Sequence, residues 1–408
     1  MSRIRLLTTT AIVSLISTAG AAPALAADTI SGAIAEGKPI INIVARYEHV
    51  SQAGFASDAS APLIRARLGY QSGSYKGFSA LFDFDLIRTT KDATFNSTIN
   101  GKTAYPVVAD PSGEELNQLK LSYSGPAKTK VDLGRQRIIL DNARFIGNVG
   151  WRLNEQTYDA LFITNQSIPD LTIQYGYFEK IHRIFGKDSP AGTWASDSHI
   201  IHAAYTGLKG TTVSAYAYVL DLTPAALSTA TYGIRAAGKL GTNGITFSYA
   251  GEYAHQTDHA ANPNDVSLDY YLISGGASAK GLTGSLSYEV LGGDRTVGFS
   301  TPLATLHAFQ GWADVFLTTP ASGITDLYGQ VSYNFAAFKA VKGVSASVIY
   351  HDFNADTGSA DLGSEWDAVL NFKISGKVSA LLKYASYSGP SEGPASRRKT
   401  WVALTYNY

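Results

Sequence analysis

Not one cysteine occurs in the 408 residues, and methionine appears once. The absence of cysteine excludes a disulfide framework and thiolate metal sites, so the fold rests on burial and hydrogen bonding alone. Long apolar runs are missing too. Beyond residue 26 nothing approaches the roughly eighteen apolar residues that a membrane helix needs. If the chain enters a bilayer it does so as a closed sheet, the other architecture that satisfies every backbone group in lipid. Net charge is also lacking, since 33 basic residues balance 33 acidic ones. A near-zero total excludes gross attraction to nucleic acid or anionic lipid and leaves electrostatic preference to where charges are placed.

What is present in quantity is glycine, at 39 residues, and tyrosine, at 24. That mixture suits turns, strands and aromatic girdles better than helices. The start, Met1-Ser2-Arg3-Ile4-Arg5, runs into a short apolar segment from Leu6 to Ile16 and then small residues ending Ala24-Leu25-Ala26. A basic start, a short apolar middle and an A-x-A exit predict a secretory signal peptide over residues 1–26, leaving 27–408 as one domain. Loss of Arg3 and Arg5 leaves 31 basic residues against 33 acidic, a formal charge of −2.

Segments of about ten residues with alternating apolar and polar character recur along this stretch, joined by connections that are alternately short and long. The alternation predicts strands near 41–50, 62–70, 77–88, 115–123, 129–137, 156–164, 170–179, 198–206 and 210–220. Further strands are predicted near 229–239, 244–255, 267–279, 282–291, 324–334, 343–353, 364–374, 377–387 and 398–408. A nineteenth candidate, Phe309 to Thr318, would place the compact turn Ser375-Gly376 on the rim of the long loops. Leaving it out gives an even strand number with both ends on the turn side, as in bacterial single-chain barrels. The fold class expected is therefore all-β, an antiparallel transmembrane β-barrel of about 18 strands with short periplasmic turns and long extracellular loops. Residues 292–323 become one long external loop.

The same alternation divides lipid from lumen. Phe78, Ala80, Phe82, Phe84 and Leu86 alternate with Ser79, Asp83 and Asp85, and Ile245, Phe247, Tyr249 and Tyr253 with Thr246, Ser248 and Glu252. Arg46, Arg65 and Arg67 are expected inside, because a cation in mid-bilayer costs roughly 2 to 4 kcal/mol. With Asp83 and Asp85 they form a mixed ladder that either orients polar solutes or braces a closed pore by ion pairing. The densest cationic run carries Arg135, Arg137, Arg144 and Arg152. Arginine suits a conduit for carboxylates or phosphates, because its planar fork offers donors to two oxygens at once. Strict parity sends Arg135 and Arg137 outward with Val131 and Leu133. They then lie above the hydrocarbon or pair with Asp141 and Glu155 at the rim, unless a bulge at Gly134 turns them to the lumen. Tyr175, Tyr177, Tyr288 and Trp366 are expected toward the lipid boundaries.

No motif of enzymatic chemistry is present: neither a nucleophile elbow, nor H-E-x-x-H, nor a phosphate loop. His199 and His202 fall on opposite faces of a strand. Two polar clusters could bind calcium through their oxygen ligands, Asp258, His259, Asn262, Asn264 and Asp265 in one loop and Asn354, Asp356 and Asp361 in the other. Without regular ligand spacing they read as polar turn residues. No metal or other cofactor is expected.

Several segments resemble the alginate-export family of outer-membrane proteins. They include Leu133 to Gly147, Trp151-Arg152-Leu153-Asn154-Glu155-Gln156-Thr157-Tyr158-Asp159, Phe299 to Phe309 and Gly311-Trp312-Ala313-Asp314. His351-Asp352-Phe353, Gly358 to Asp361 and Glu365-Trp366-Asp367 look similar as well. The resemblance implies an eighteen-stranded barrel with an arginine-lined pore for an anionic polysaccharide or its fragments. The modest cation total departs from that pattern, and a porin for another acidic sugar or a general small-solute porin fits nearly as well. The last strand, ending in Tyr406-Asn407-Tyr408, resembles the closing strand that barrel-assembly machinery reads.

The expectation is a porin of the bacterial outer membrane for passive diffusion of polar, anionic saccharides, with no enzymatic activity. Its partners would be the solute, outer-membrane lipid and, through Tyr408, the assembly machinery, but no nucleic acid. Phe299, His307, Trp312 and Asp314 belong to the candidate constriction loop. The alternatives are a non-conducting structural or adhesive outer-membrane barrel and a secreted soluble β-protein.

Overall fold

The structure, a computed structural model, describes residues 27–335 and 343–408. The expected signal peptide lies outside the described residues.

Eighteen strands form one antiparallel sheet that closes on itself. In chain order they are β1 (Lys38–Gln52), β2 (Ala59–Gln71), β3 (Phe78–Thr89), β4 (Gly113–Ser124), β5 (Thr129–Gln136), β6 (Thr157–Asn165), β7 (Leu171–His182), β8 (Thr193–Leu208) and β9 (Thr211–Leu220). They continue as β10 (Thr229–Thr242), β11 (Ile245–Asp258), β12 (Ser267–Ala279), β13 (Leu282–Leu291), β14 (Ile324–Phe335), β15 (Val344–Asn354), β16 (Asp361–Lys373), β17 (Val378–Ser388) and β18 (Arg397–Asn407). Each strand pairs with its neighbours in sequence, and β1 pairs with β18 from Asn42↔Asn407 to Gln52↔Arg397, so no free edge remains. Each of the eighteen predicted segments coincides with a strand. Phe309 to Thr318 forms no strand; its loop carries a short 3-10 turn at Leu306–Ala308 and an isolated bridge between Gly293 and Gly298.

Alternation sorts the side chains as lipid and water require. Along β3, Phe78, Ala80, Phe82, Phe84 and Leu86 are exposed on the outer face, whereas Asp83, Asp85 and Ile87 are buried on the inner one. Ile234, Phe247, Ile273, Leu286, Val331 and Leu404 continue the exposed apolar surface around the cylinder. So large a patch is stable only against acyl chains. Tyr288 and Trp366 stand exposed on this outer face.

Connections on one rim are compact, such as 209–210, 243–244 and 280–281, whereas the other rim carries 90–112, 137–156 and 292–323. The sequence pattern did not reveal α1 (Ile30–Ala35), a short helix on the turn rim. Thr29 caps it, its hydroxyl accepting from the Gly32 amide at 3.0 Å. The Gly73 amide, in the β2–β3 turn, donates to the Ala33 carbonyl at 2.8 Å and ties the helix to the barrel end.

Two long loops, 137–156 and 292–323, fold inward instead of standing above the rim. Ile138, Leu140, Phe145 and Ile146 from the first pack with Phe299, Leu303 and Phe316 from the second. Around them stand inward aromatics of the wall, among them Phe178, Tyr216, Tyr218 and Tyr270. The backbone links the loops directly: Gly147 donates to the Leu303 carbonyl at 2.8 Å and Thr305 to that of Ala143 at 2.9 Å.

Candidate functional site

Beneath these loops lies a cavity of about 590 Å³. Trp151, Arg152, Glu155, His307 and Trp312 contribute to its roof. Arg65, Arg67 and Asp83 form one side, and Gln330, Ser332, Ser345, Ser347 and Asn371 another. It therefore sits against β1–β4 and β14–β18, on the turn side of the loops.

The arginines meet it unequally. Arg67 is held by Asp85, Nε to Oδ1 at 2.7 Å and Nη2 to Oδ2 at 2.6 Å, and its Nη1 donates to Glu155 at 2.5 Å. Arg137 donates from Nε to the second Glu155 oxygen at 2.6 Å. Asp83 accepts from the Asn117 and Gln118 amides, each at 2.8 Å. Arg65 is less committed, reaching Asp85 only at 4.0 Å and otherwise donating to the Leu153 carbonyl at 3.4 Å and to Asn42. The ladder thus braces the wall through Arg67 and still offers a guanidinium through Arg65.

Four other expected positions stand elsewhere or do another job. Arg135 is not pore-lining: Gly134 adopts φ +113°, but the β5–β6 register runs on without a bulge, so Arg135 keeps the outer face of Leu133. There it pairs with Asp159 at 2.8 Å, and Asp159 also meets His182 at 2.8 Å. Arg144 is 1% exposed and removed from the cavity. Its Nε donates to Glu289 at 2.7 Å while the guanidinium lies over the Phe309 ring at 4.6 Å, so it clamps the loops together. Arg46 points inward but lies against Trp151, 4.5 Å from the ring centroid, and donates to the Trp151 carbonyl at 2.7 Å. Phe299, wholly buried, is part of the apolar packing and not of the cavity wall.

Arg152 and Asp314 anchor the roof. Arg152 Nη1 reaches Glu48 at 3.0 Å and Asp110 at 3.3 Å, and Nη2 reaches Asp314 at 3.1 Å. Asp314 also receives Lys399 Nζ at 2.6 Å and His307 Nδ1 at 2.6 Å. Burial alone would raise the Asp314 carboxyl, but the cations around it hold it well below the usual carboxylate range. Burial likewise opposes Glu155, and Arg137 and Arg67 outweigh it, so that carboxyl is also lowered. His307 is pushed well below its ordinary value, burial being the main cause. Its Nδ1 faces the ionised Asp314 carboxylate, which only accepts, so the neutral ring carries its proton on Nδ1 and leaves Nε2 to accept from Lys383 Nζ at 2.6 Å.

Sequence reading missed Lys383, Lys399, Glu365 and Asp367. Strand parity held the signal, since Lys383 alternates with the outward Leu382 and Tyr384. The contacts were not legible. Lys383 Nζ sits 4.1 Å from the Trp151 ring centroid and 3.7 Å from that of Trp312, with Trp401 at 5.3 Å. Glu365 accepts from the Ala313 amide at 2.6 Å and Asp367 from that of Trp312 at 3.1 Å. Gly311, at φ +80°, permits this approach; a Cβ there would stand 2.5 Å from Glu365.

Among the described residues no group of three or more His, Asp or Glu is arranged to hold a metal ion. In the two loops weighed for calcium, Asp258 accepts from the Val266 amide at 3.1 Å and Asp361 from that of Gly363 at 2.7 Å, as turn residues do.

A closed eighteen-stranded antiparallel barrel with an apolar outer belt and a polar interior defines the class: an integral β-barrel of the bacterial outer membrane. Solved structures of Pseudomonas aeruginosa share the fold. OccK9 (OpdG) matches with a TM-score of 0.72 at 16% identity, over 92% of this chain and 100% of that one. OpdQ matches at 0.71 and 16% identity, over 93% and 99%. The outer membrane protein OpdK matches at 0.68 and 17% identity, over 91% and 98%. No protein-family model and no curated protein matches the chain.

Proposed function

We propose that the chain is a porin, an outer-membrane channel for passive diffusion of small polar solutes, anionic saccharides among them. The observation that carries this reading is the cavity inside the closed wall, where Arg65, Arg67, Arg137 and Arg152 line a space beneath the inward loops. Arg65 lowers the barrier for an anion, and the ion pairs of Arg67 and Arg137 keep the wall from binding it so tightly that it stalls. The segments similar to alginate-export proteins support a saccharide, and the cavity volume favours a single small one over a polymer. The fold shared with OccK9 and OpdQ supports a channel in the same membrane. Transport of this kind involves no catalysis. Within this reading, residues 1–26 direct export and the strand ending at Tyr408 is read during assembly.

Planar bilayer recording with the purified barrel tests the proposal. Anion preference is expected, and Arg65→Gln with Arg67→Gln shifts the reversal potential toward cation preference; a cation-selective wild type that the double variant leaves unchanged overturns it. The rival reading, a non-conducting structural or adhesive barrel, draws on the density of ion pairs in the roof. Liposome swelling separates the two, since a plugged barrel admits no sugar.

A further inference from the structure

The cavity has two unlike sides, and the second is uncharged. Gln330, Ser332 and Asn334 on β14, Ser345 and Ser347 on β15 and Asn371 on β16 occupy alternate, inward positions. The register sets Ser332 opposite Ser347, Asn334 opposite Ser345, and Ser345 opposite Asn371, so these side chains form one contiguous patch. Gln330 Nε2 donates to the Ser332 hydroxyl at 2.8 Å, the Ser332 and Ser347 hydroxyls lie 2.8 Å apart, and Asn371 Nδ2 donates to the Ser345 hydroxyl at 3.4 Å. Those bonds use one amide N–H each of Gln330 and Asn371. A side-chain amide has two donors and two acceptor lone pairs, and a hydroxyl both donates and accepts. The patch therefore keeps hydrogen-bonding capacity of both kinds toward the cavity. Asn42 and Asn407 line the same cavity beside the cationic side: the Asn42 oxygen accepts from Arg65, and its Nδ2 donates to Asn407 and, at 3.4 Å, to the Tyr406 carbonyl.

Building on the channel reading above, we propose that this amide and hydroxyl patch is a second subsite that reads hydroxyl groups. With a carboxylate at Arg65, the rest of the solute lies toward groups that donate and accept in equal measure. A polyhydroxy chain replaces the water on them bond for bond. A methylene chain displaces that water and leaves the polar groups unpaired, the kind of mismatch that discriminates most strongly between isosteric ligands. The substrate class is thus a single polyhydroxylated monocarboxylate, a sugar acid, in preference to a plain carboxylate of equal length and charge.

Bi-ionic reversal potentials in planar bilayers, with sodium gluconate and sodium hexanoate each set against chloride, test this. Gluconate is expected to be the more permeant acid. Ser345→Ala with Ser347→Ala lowers the gluconate-to-hexanoate ratio by about threefold for each hydroxyl removed. Ser345→Thr with Ser347→Thr, which retain both hydroxyls, preserve the ratio. Equal permeability of the two acids in the wild type, or an unchanged ratio in an alanine variant that still shows heat-modifiable mobility, overturns the inference and leaves the channel intact. Exclusion of chloride and both acids alike overturns the channel reading together with it.

Discussion

Two walls of the barrel interior share an outer belt, a hydrogen-bonding pattern and an alternation, yet one is packed and the other open. Along β7–β12 the inward positions carry Phe178, Tyr216, Tyr218 and Tyr270, and the two inward loops lay Phe145 and Phe299 against them. Along β14–β16 the inward positions on the turn side are Ser332, Ser345, Ser347 and Asn371, and space remains. Side-chain volume on the inner face, not strand number, decides where the lumen lies. Bulky apolar groups draw the loops to their side because burying each large side chain stabilises by roughly 1.5 to 3 kcal/mol. The cavity is consequently eccentric, bounded by the loops' polar flank on one side and the bare sheet on the other.

The largest expected effect comes from cutting the loop's anchor at the boundary between the two regions. Glu155→Ala strands Arg67 and Arg137 without their shared carboxylate, and breaking such a buried pair costs about 3 to 5 kcal/mol. The expected outcome is a lowered melting temperature and noisy, enlarged single-channel currents; quiet wild-type currents would show that the apolar contacts alone hold the loop. Phe299→Ala removes a wholly buried ring from the packed wall, at about 3 to 5 kcal/mol of local stability, and is expected to raise loop proteolysis while leaving anion preference unaltered. Ser347→Tyr makes the open wall resemble the packed one, and conductance is expected to fall to a small fraction of wild type without loss of the folded, heat-modifiable form.

A pH series sharpens the same boundary. Glu155 and Asp314 are both lowered in the folded state. The stability they add is present above their unfolded values, at about pH 4, and is lost only as pH falls through the lower folded values. His307, lowered by burial, stays neutral in the folded barrel while the unfolded chain takes up a proton, so its contribution is present above its unfolded value of about 6.5 and is lost progressively below it. Recordings are expected to show gating noise that begins to rise below about pH 6.5, as the His307 contribution is lost, and rises more steeply below about pH 4, where those of Glu155 and Asp314 go as well. The smallest effect belongs to Arg135→Gln on the outer face: about 0 to 1 kcal/mol in stability and no change in reversal potential.

Much of this arrangement was legible in advance, for a definite reason. Period-2 alternation needs no knowledge of neighbours, so it located β3 and β11 and put Arg65, Arg67, Asp83 and Asp85 inside. The expected turn of Arg135 to the lumen fails, because a positive φ at Gly134 without an inserted residue leaves the register unchanged, whereas Arg137, past the end of β5, does reach the cavity that strict parity denied it. Loops obey no such period. Nothing local to Arg144 announces Glu289, 145 residues away in sequence, and nothing near Lys383 announces Trp151 or His307.

The chain's own order of apolar and polar residues determined the cylinder: how many strands, which faces meet lipid, which charges turn inward, and which connections are long. Tertiary structure alone decided that loops 137–156 and 292–323 enter the barrel, which arginines are spent on holding them and which cavity-lining one has no carboxylate at hydrogen-bond distance. Alternation is a property of neighbouring peptide units along one strand, whereas the shape of the lumen depends on partners brought together only when the sheet has closed.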